Sequence, residues 1–221
     1  MALTIDVISD VVCPWCFIGK RHLESALAAW RKDHPGEEQP VVHWHPFQLN
    51  PQLPRSGVPR AEYIATKFGG PQRAKEIYAR VANAGARASI AFDFDRIAVQ
   101  PNTLNAHRLI HHAGPSGRQD AMAEALFRAY FLEGADLSRD DTLADIATRA
   151  GFDHNEISAY LARDEDKALI EDQDQHARSL GVDGVPFFIF NRRYAVSGAQ
   201  QPEAILDVMA KAQEELAAAP Q

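Results

Sequence analysis

Apolar residues along the first fifty positions alternate, then recur at three- and four-residue steps, then cluster again as strand formers. Leu3 to Ser9 is rich in Leu, Ile and Val and predicts a short strand. From Pro14 to about His34, Phe17, Ile18, Leu23, Ala26, Leu27 and Trp30 return mostly at helical spacing, while Lys20, Arg21, Glu24 and Arg31 fill the other side. This predicts an amphipathic helix, with Pro14 in the first turn, where its missing N–H needs no partner. After the turn at Pro35-Gly36, Val41 to Leu49 predicts a second strand. A β-α-β unit with parallel strands and a right-handed crossover follows.

The loop Asn50 to Pro59 breaks regular structure with its Pro and Gly, and from about Arg60 to Leu180 the pattern is helical. Ser138-Arg-Asp-Asp141 and Asp153-His-Asn-Glu156 pair a capping residue with first-turn acids, and Gly114, Gly151 and Gly181 mark helix ends. Strand character returns in Phe187 to Phe190 and Tyr194 to Val196, around a turn at 191–193, and a helix runs from Pro202 to about Ala217. The order predicts an α/β fold in two unequal parts. Residues 1–59 and 181–221 form one discontinuous domain, and 60–180 an all-helical insertion.

Composition narrows the function. The chain has 221 residues, enough to bury a core without disulfide or metal staples. Its 23 Lys and Arg against 30 Asp and Glu leave a charge of −7, which argues against nucleic acid as a partner. No run reaches the roughly 18 apolar residues that would span a bilayer, and Asp6 interrupts any signal-like segment at the start. No membrane partner and a cytoplasmic location are therefore expected.

The two cysteines are Cys13 and Cys16, placed between the first strand and the first helical turn. That spacing closes a small disulfide with little backbone movement. The helix start also favours a thiolate on Cys13, through its unpaired N–H groups and dipole. Cys13 is then the attacking residue and Cys16 the resolving one. Zinc is an alternative, but one CxxC supplies two of four ligands, so His43 and His45 would have to complete the site; no metal is expected. Two inert buried thiols are the plainest alternative.

Cys13-Pro-Trp-Cys16, the Gly184-Val-Pro186 segment and the long helical insertion resemble the DsbA family of thioredoxin-fold thiol-disulfide oxidoreductases. Within it, Asp10 to Lys20, Asn102-Thr-Leu-Asn-Ala-His-Arg108 and Ala195-Val-Ser-Gly-Ala-Gln200 are similar to the FrnE-like branch. The resemblance implies a thioredoxin fold interrupted by the helical insertion. It implies exchange of a redox-active Cys13-Cys16 disulfide or dithiol, through a mixed disulfide, with protein or small-molecule thiols and disulfides. It makes Val185-Pro186 a cis-proline turn beside the sulfurs, with Pro14, Trp15, Val185 and Pro186 as the active-site turn and substrate contacts.

Relatives of that family bind glutathione, the kappa-class glutathione transferases and 2-hydroxychromene-2-carboxylate isomerases among them, typically with Ser where this chain has Cys13. Two thiols favour redox exchange, since a hydroxyl forms no mixed disulfide. A glutathione-dependent isomerase or transferase acting on a small aromatic compound is the alternative. No bound cofactor is expected; glutathione is a candidate cosubstrate, with Asn50, Ser197 and Gln200 as candidate contacts. The resemblance leaves monomer and homodimer both open.

One position departs from the thioredoxin pattern. Many such proteins carry a buried carboxylate six residues before the first Cys, where this chain has Val7. Asp10 is the candidate proton acceptor instead, with a helix cap or loop carboxylate as its alternative. Phe17 and Phe47 read as core or substrate-facing aromatics, and Pro46 and Asn50-Pro51 resemble the family's segment after the second strand, where substrate contacts occur, with a plain loop as the alternative. For His107, His111 and His112 the ordinary reading is packing or solvent exposure.

Overall fold

The structure is a computed structural model and describes residues 2–218; the outermost residues of the predicted discontinuous domain, 1 and 219–221, lie outside the described residues. Strands β1 (Thr4–Ser9) and β2 (Val41–Pro46) flank helix α1 (Pro14–Asp33) and pair in parallel, with Thr4 opposite Val41 and Ser9 opposite Pro46. Strand β2 ends three residues before the predicted limit. Pro46 has no N–H, and the amides of Gln48 and Leu49 turn to the carboxylates of Asp174 (2.7 Å) and Asp10 (2.8 Å) instead of to a neighbouring strand.

A two-residue strand β3 (Val58–Pro59) follows, pairing antiparallel with β4 (Val99–Gln100). The insertion is therefore not all-helical. Its helices are α2 (Arg60–Phe68), α3 (Pro71–Arg87), α4 (Leu104–His112), α5 (Gln119–Glu133), α6 (Asp140–Arg149), α7 (His154–Leu161) and α8 (Lys167–Ser179). Asp153 caps α7 as its pattern predicts, accepting the Glu156 amide at 2.9 Å. Ser138 does not cap α6. Its hydroxyl and amide go back to Asp136, at 2.6 and 3.0 Å, so the helix starts two residues later behind Arg139.

Strands β5 (Phe187–Phe190) and β6 (Tyr194–Ser197) complete a four-stranded sheet of order β2-β1-β5-β6, and α9 (Pro202–Ala218) ends the described chain. Asn191 and Arg192 both take left-handed φ, +48° and +57°, at the tight β5–β6 turn. The Asn191 side chain also accepts the Thr4 amide and donates to the Ala212 carbonyl, tying β1 to α9.

Alternation divides the sheet faces. Ile5, Val7, Phe188 and Phe190 point into a large core under α1 and α9 that runs without a break into α4 to α7. Ile8, with Phe187 and Ile189, belongs to a smaller cluster that includes Ala177 and Val182 near the end of α8. Phe17 bridges the two parts of the fold, stacking on Phe127 of α5 at 5.1 Å with the ring planes 5° apart. Phe17 and Phe47 are both core residues. No described helix is long and apolar enough to cross a membrane.

Candidate active site

The chain leaves β1 through a turn in which the Cys13 amide donates to the Asp10 carbonyl at 3.0 Å, and α1 begins at Pro14 with Cys13 as its N-cap. The Cys13 side chain makes no capping hydrogen bond. Its thiol instead donates to the Val185 carbonyl at 3.5 Å. Both cysteines are free thiols and nearly buried, Cys13 at 5% exposure and Cys16 at 2%. Burial pushes the Cys16 thiol well above the usual range; the neighbouring Cys13 adds to this, while the Ser9 hydroxyl and the Asp10 backbone oppose it. Cys16 is thus a proton-holding thiol, and Cys13 the one that meets the facing loop.

That loop carries a cis peptide bond at Val185-Pro186. The Pro186 carbonyl accepts the Gly198 amide at 2.8 Å, which brings the start of the segment after β6 to the same place. Ser197 is exposed there, and the Gln200 side chain folds back onto the Ser197 carbonyl at 2.9 Å. Trp15 stands 43% exposed between the two cysteines in sequence. The pattern of the sequence gives no sign of a further contact. A Cβ on Gly19 would lie 2.9 Å from Pro186 Cγ and 3.2 Å from Phe188 Cζ, so glycine lets α1 approach the proline turn.

Near Asp10 and Cys13, α2 presents Tyr63, whose phenol is raised chiefly by burial and by the charges of Asp10 and Cys13, while the Arg60 charge opposes the rise. The Asn50 Nδ2 has no donor geometry to any described acceptor. Behind Tyr63, Arg60 donates to Tyr78 at 2.5 Å and to Gln100, and its guanidinium lies over the Tyr63 and Tyr78 rings. These insertion residues carry no spacing signal, because their partners are distant in sequence.

Asp10 does not cap the helix. It is fully buried, accepts the Leu49 amide with Oδ2, and has Oδ1 3.4 Å from His107 Nε2. That separation allows electrostatic attraction, but the two atoms lack hydrogen-bond geometry. His107 is buried on α4, contrary to the ordinary solvent reading but in keeping with the packing one. His111 is half-buried, and His112 packs on Tyr160 with ring centroids 4.5 Å apart.

The Asn102 to Arg108 motif now has a physical content. Asn102 donates to the Leu53 carbonyl and pins the loop after β2, His107 reaches Asp10, and Arg108 gathers carbonyls at the end of α7. His45 is turned to Asp6 at 2.9 Å, which holds the Asp6 carboxyl below its usual range. Among the described residues no cluster of three or more His, Cys, Asp or Glu is placed to hold a metal.

The model of the DSBA-like thioredoxin domain matches residues 4–210. A solved structure from Streptomyces coelicolor, described as a probable DsbA oxidoreductase, is 30% identical, with a TM-score of 0.86 over 96% of this chain and 91% of that one. The uncharacterized protein YwbO of Bacillus subtilis (strain 168) is 25% identical over 194 residues, 86% of this chain and 87% of that protein. The cytosolic disulfide reductase DsbM of Pseudomonas aeruginosa, solved with GSH, shares the fold at 19% identity and a TM-score of 0.59, over 96% of this chain and 98% of that one.

Proposed function

This chain belongs to the DSBA-like thioredoxin domain family, and from that premise we propose that it is a thiol-disulfide oxidoreductase working through Cys13 and Cys16. The observation that carries the reading is the placing of two free thiols at a helix start, with the Cys13 sulfur facing the Val185 carbonyl of the proline turn. In reduction, the Cys13 thiolate attacks a substrate disulfide and expels one substrate thiolate, leaving a mixed disulfide. Cys16 then attacks the Cys13 sulfur, forming the Cys13–Cys16 bond and expelling the second thiolate. In oxidation the same steps run backwards, and the reduction potential against the surroundings sets the direction.

Pro14 and Trp15 border the sulfurs, and the backbone at Val185-Pro186 is the surface on which an extended substrate segment lies. Glutathione is the proposed small thiol cosubstrate, supported by its presence in the Pseudomonas aeruginosa reductase of the same fold. Asn50, with its unpaired Nδ2, and Ser197 and Gln200 beside Pro186 are its proposed contacts. A cytoplasmic setting accords with that relative's description.

The test is reduction of insulin or a model disulfide by the wild type and by Cys13→Ser. Activity should vanish in the variant, and an unaffected rate overturns the reading. Cys16 in Cys13→Ser should also resist iodoacetamide at neutral pH, since burial keeps its proton on.

A further inference from the structure

Four buried polar atoms around Ser9 form no hydrogen bond of normal geometry among the described residues: Ser9 Oγ, Asp10 Oδ1, Trp44 Nε1 and His107 Nε2, and of these residues Ser9 and Asp10 are the ones that act on the Cys16 thiol. Leaving such atoms unpaired in the interior is destabilising, so a core selected for stability alone disperses or pairs them. Here three of the four residues, Ser9, Trp44 and His107, line one cavity of about 10 Å³. That is room for about one water, and the donors and acceptors around it are what a buried water requires. His45, His111 and Gln173 form other parts of its wall, and all three are partly exposed, so the cavity leads towards solvent.

We propose that the Asp10–His107 pair, reached from Cys16 through Ser9 and one water in this cavity, takes up the Cys16 proton when the mixed disulfide is resolved. The inference rests on the exchange reading of Cys13 and Cys16. As the Cys16 sulfur bonds to the Cys13 sulfur, the bond from Cys13 to the substrate sulfur breaks and its electron pair leaves as thiolate. The Cys16 proton moves by way of the Ser9 hydroxyl and the water to His107 Nε2, where Asp10 Oδ1 at 3.4 Å balances the new charge. In oxidation His107 returns that proton to Cys16 as it is expelled. Ser9, Asp10 and His107 are relay and positioning residues, because each acts on the sulfur through another group.

Other ionisable groups face the relay. Tyr63 of α2 and Tyr130 of α5 sense the Asp10 charge, and Arg60 lies beside both phenols. His45 of β2 and His111 of α4 stand on the cavity wall. The Cys13 thiol lies at the start of α1, and Asp174 of α8, paired with Arg178, receives the amide next to the one that Asp10 receives.

The two thiol steps can be timed separately by mixing reduced protein with excess dithiobis(nitrobenzoate), a symmetric aryl disulfide. Attack by Cys13 releases a first aryl thiolate, and resolution by Cys16 releases a second, with the proton as the remaining product. In His107→Gln and Asp10→Asn the first phase should stay near wild type while the second slows about 10- to 100-fold at pH 7. The slowed phase should also rise steadily with hydroxide from about pH 6 to 9, where the wild type flattens. Ser9→Ala, the mildest change, should slow the second phase several-fold and serves if His107→Gln does not fold.

A second phase within about twofold of wild type in Ser9→Ala and Asp10→Asn across that range overturns the relay. So does an equal slowing of both phases, which is what a merely structural role gives. A wild type with no first phase overturns the exchange reading instead.

Discussion

His107 and Arg108 are neighbours on α4 and both are buried, yet their polar surroundings are opposite. Arg108 donates to the carbonyls of Glu165 (2.8 Å), Arg163 (2.8 Å) and Tyr160 (3.0 Å) and to Asn105 Oδ1 (2.9 Å), and its guanidinium lies 4.6 Å from the centre of the Tyr160 ring. Those carbonyls lie at the end of α7 and in the segment just beyond it. His107 has a carboxylate at 3.4 Å and no formed hydrogen bond at Nε2. The difference separates two uses of buried polarity. A guanidinium cannot lose its proton, so its saturated network can only hold chain together, whereas an imidazole with an open site can take a proton up and give it back.

The largest effect that sharpens this contrast is on the saturated side. Arg108→Met removes a buried guanidinium whose donors tie α4 to the end of α7 and the segment after it, so it should destabilise by about 3 kcal/mol or more. For a chain of this size that lowers the melting temperature by roughly 6–12 °C. Exchange by the molecules that remain folded should be unchanged. A loss below about 1 kcal/mol in a thermal or urea titration would remove Arg108 from the role of clasp.

Packing around the thiols supplies the next. The polar side of the site is loosely satisfied, but its apolar side is tight, with only a hydrogen on Gly19 facing Pro186. Gly19→Ala forces α1 and the proline turn apart by several tenths of an ångström and should cost about 1–3 kcal/mol as overpacking. Because Val185 moves with Pro186, both phases of thiol exchange should slow together. An alanine variant with wild-type stability and rates would show that the turn gives way freely.

Asp10→Asn tests the open side by its stability. Asparagine keeps an oxygen for the Leu49 amide and adds an N–H that can meet His107, so stability should be unchanged or higher by about 1 kcal/mol while resolution slows. The comparison breaks if this variant loses as much stability as Arg108→Met, since Asp10 would then be a structural anchor as well.

The parts legible in the sequence are those with local signals. Cys13 and Cys16 straddle the start of a helix whose spacing, proline and aromatic stripe are contiguous, and the β-α-β order follows from alternation. Motifs also located the Val185-Pro186 turn. What was not legible depends on long-range contact. Asp10 and His107 meet across the fold, Gly19 matters because of a proline far along the chain, and β3 and β4 are two residues each, too short for alternation to appear. Ser138 misled for a local reason, since Asp136 competes for the same hydroxyl and amide.

The smallest effect comes from a pair between the two extremes. Asp6 and His45 are hydrogen-bonded at 2.9 Å like the Arg108 network, but their side chains are 20% and 40% exposed. The bond to His45 is the main reason the Asp6 carboxyl lies below its usual value of 3.8. A carboxylate depressed in the folded state adds stability above its unfolded value, and the contribution fades as pH falls through the folded one. Asp6→Asn should therefore be less stable than wild type at pH 7, and the gap should close below about pH 4. Solvent screening limits the gap to below about 1 kcal/mol, and salt should narrow it further. Paired urea titrations at pH 7 and pH 3 would read it. A gap that persists at pH 3 would mean that Asp6 contributes through packing and not through its charge.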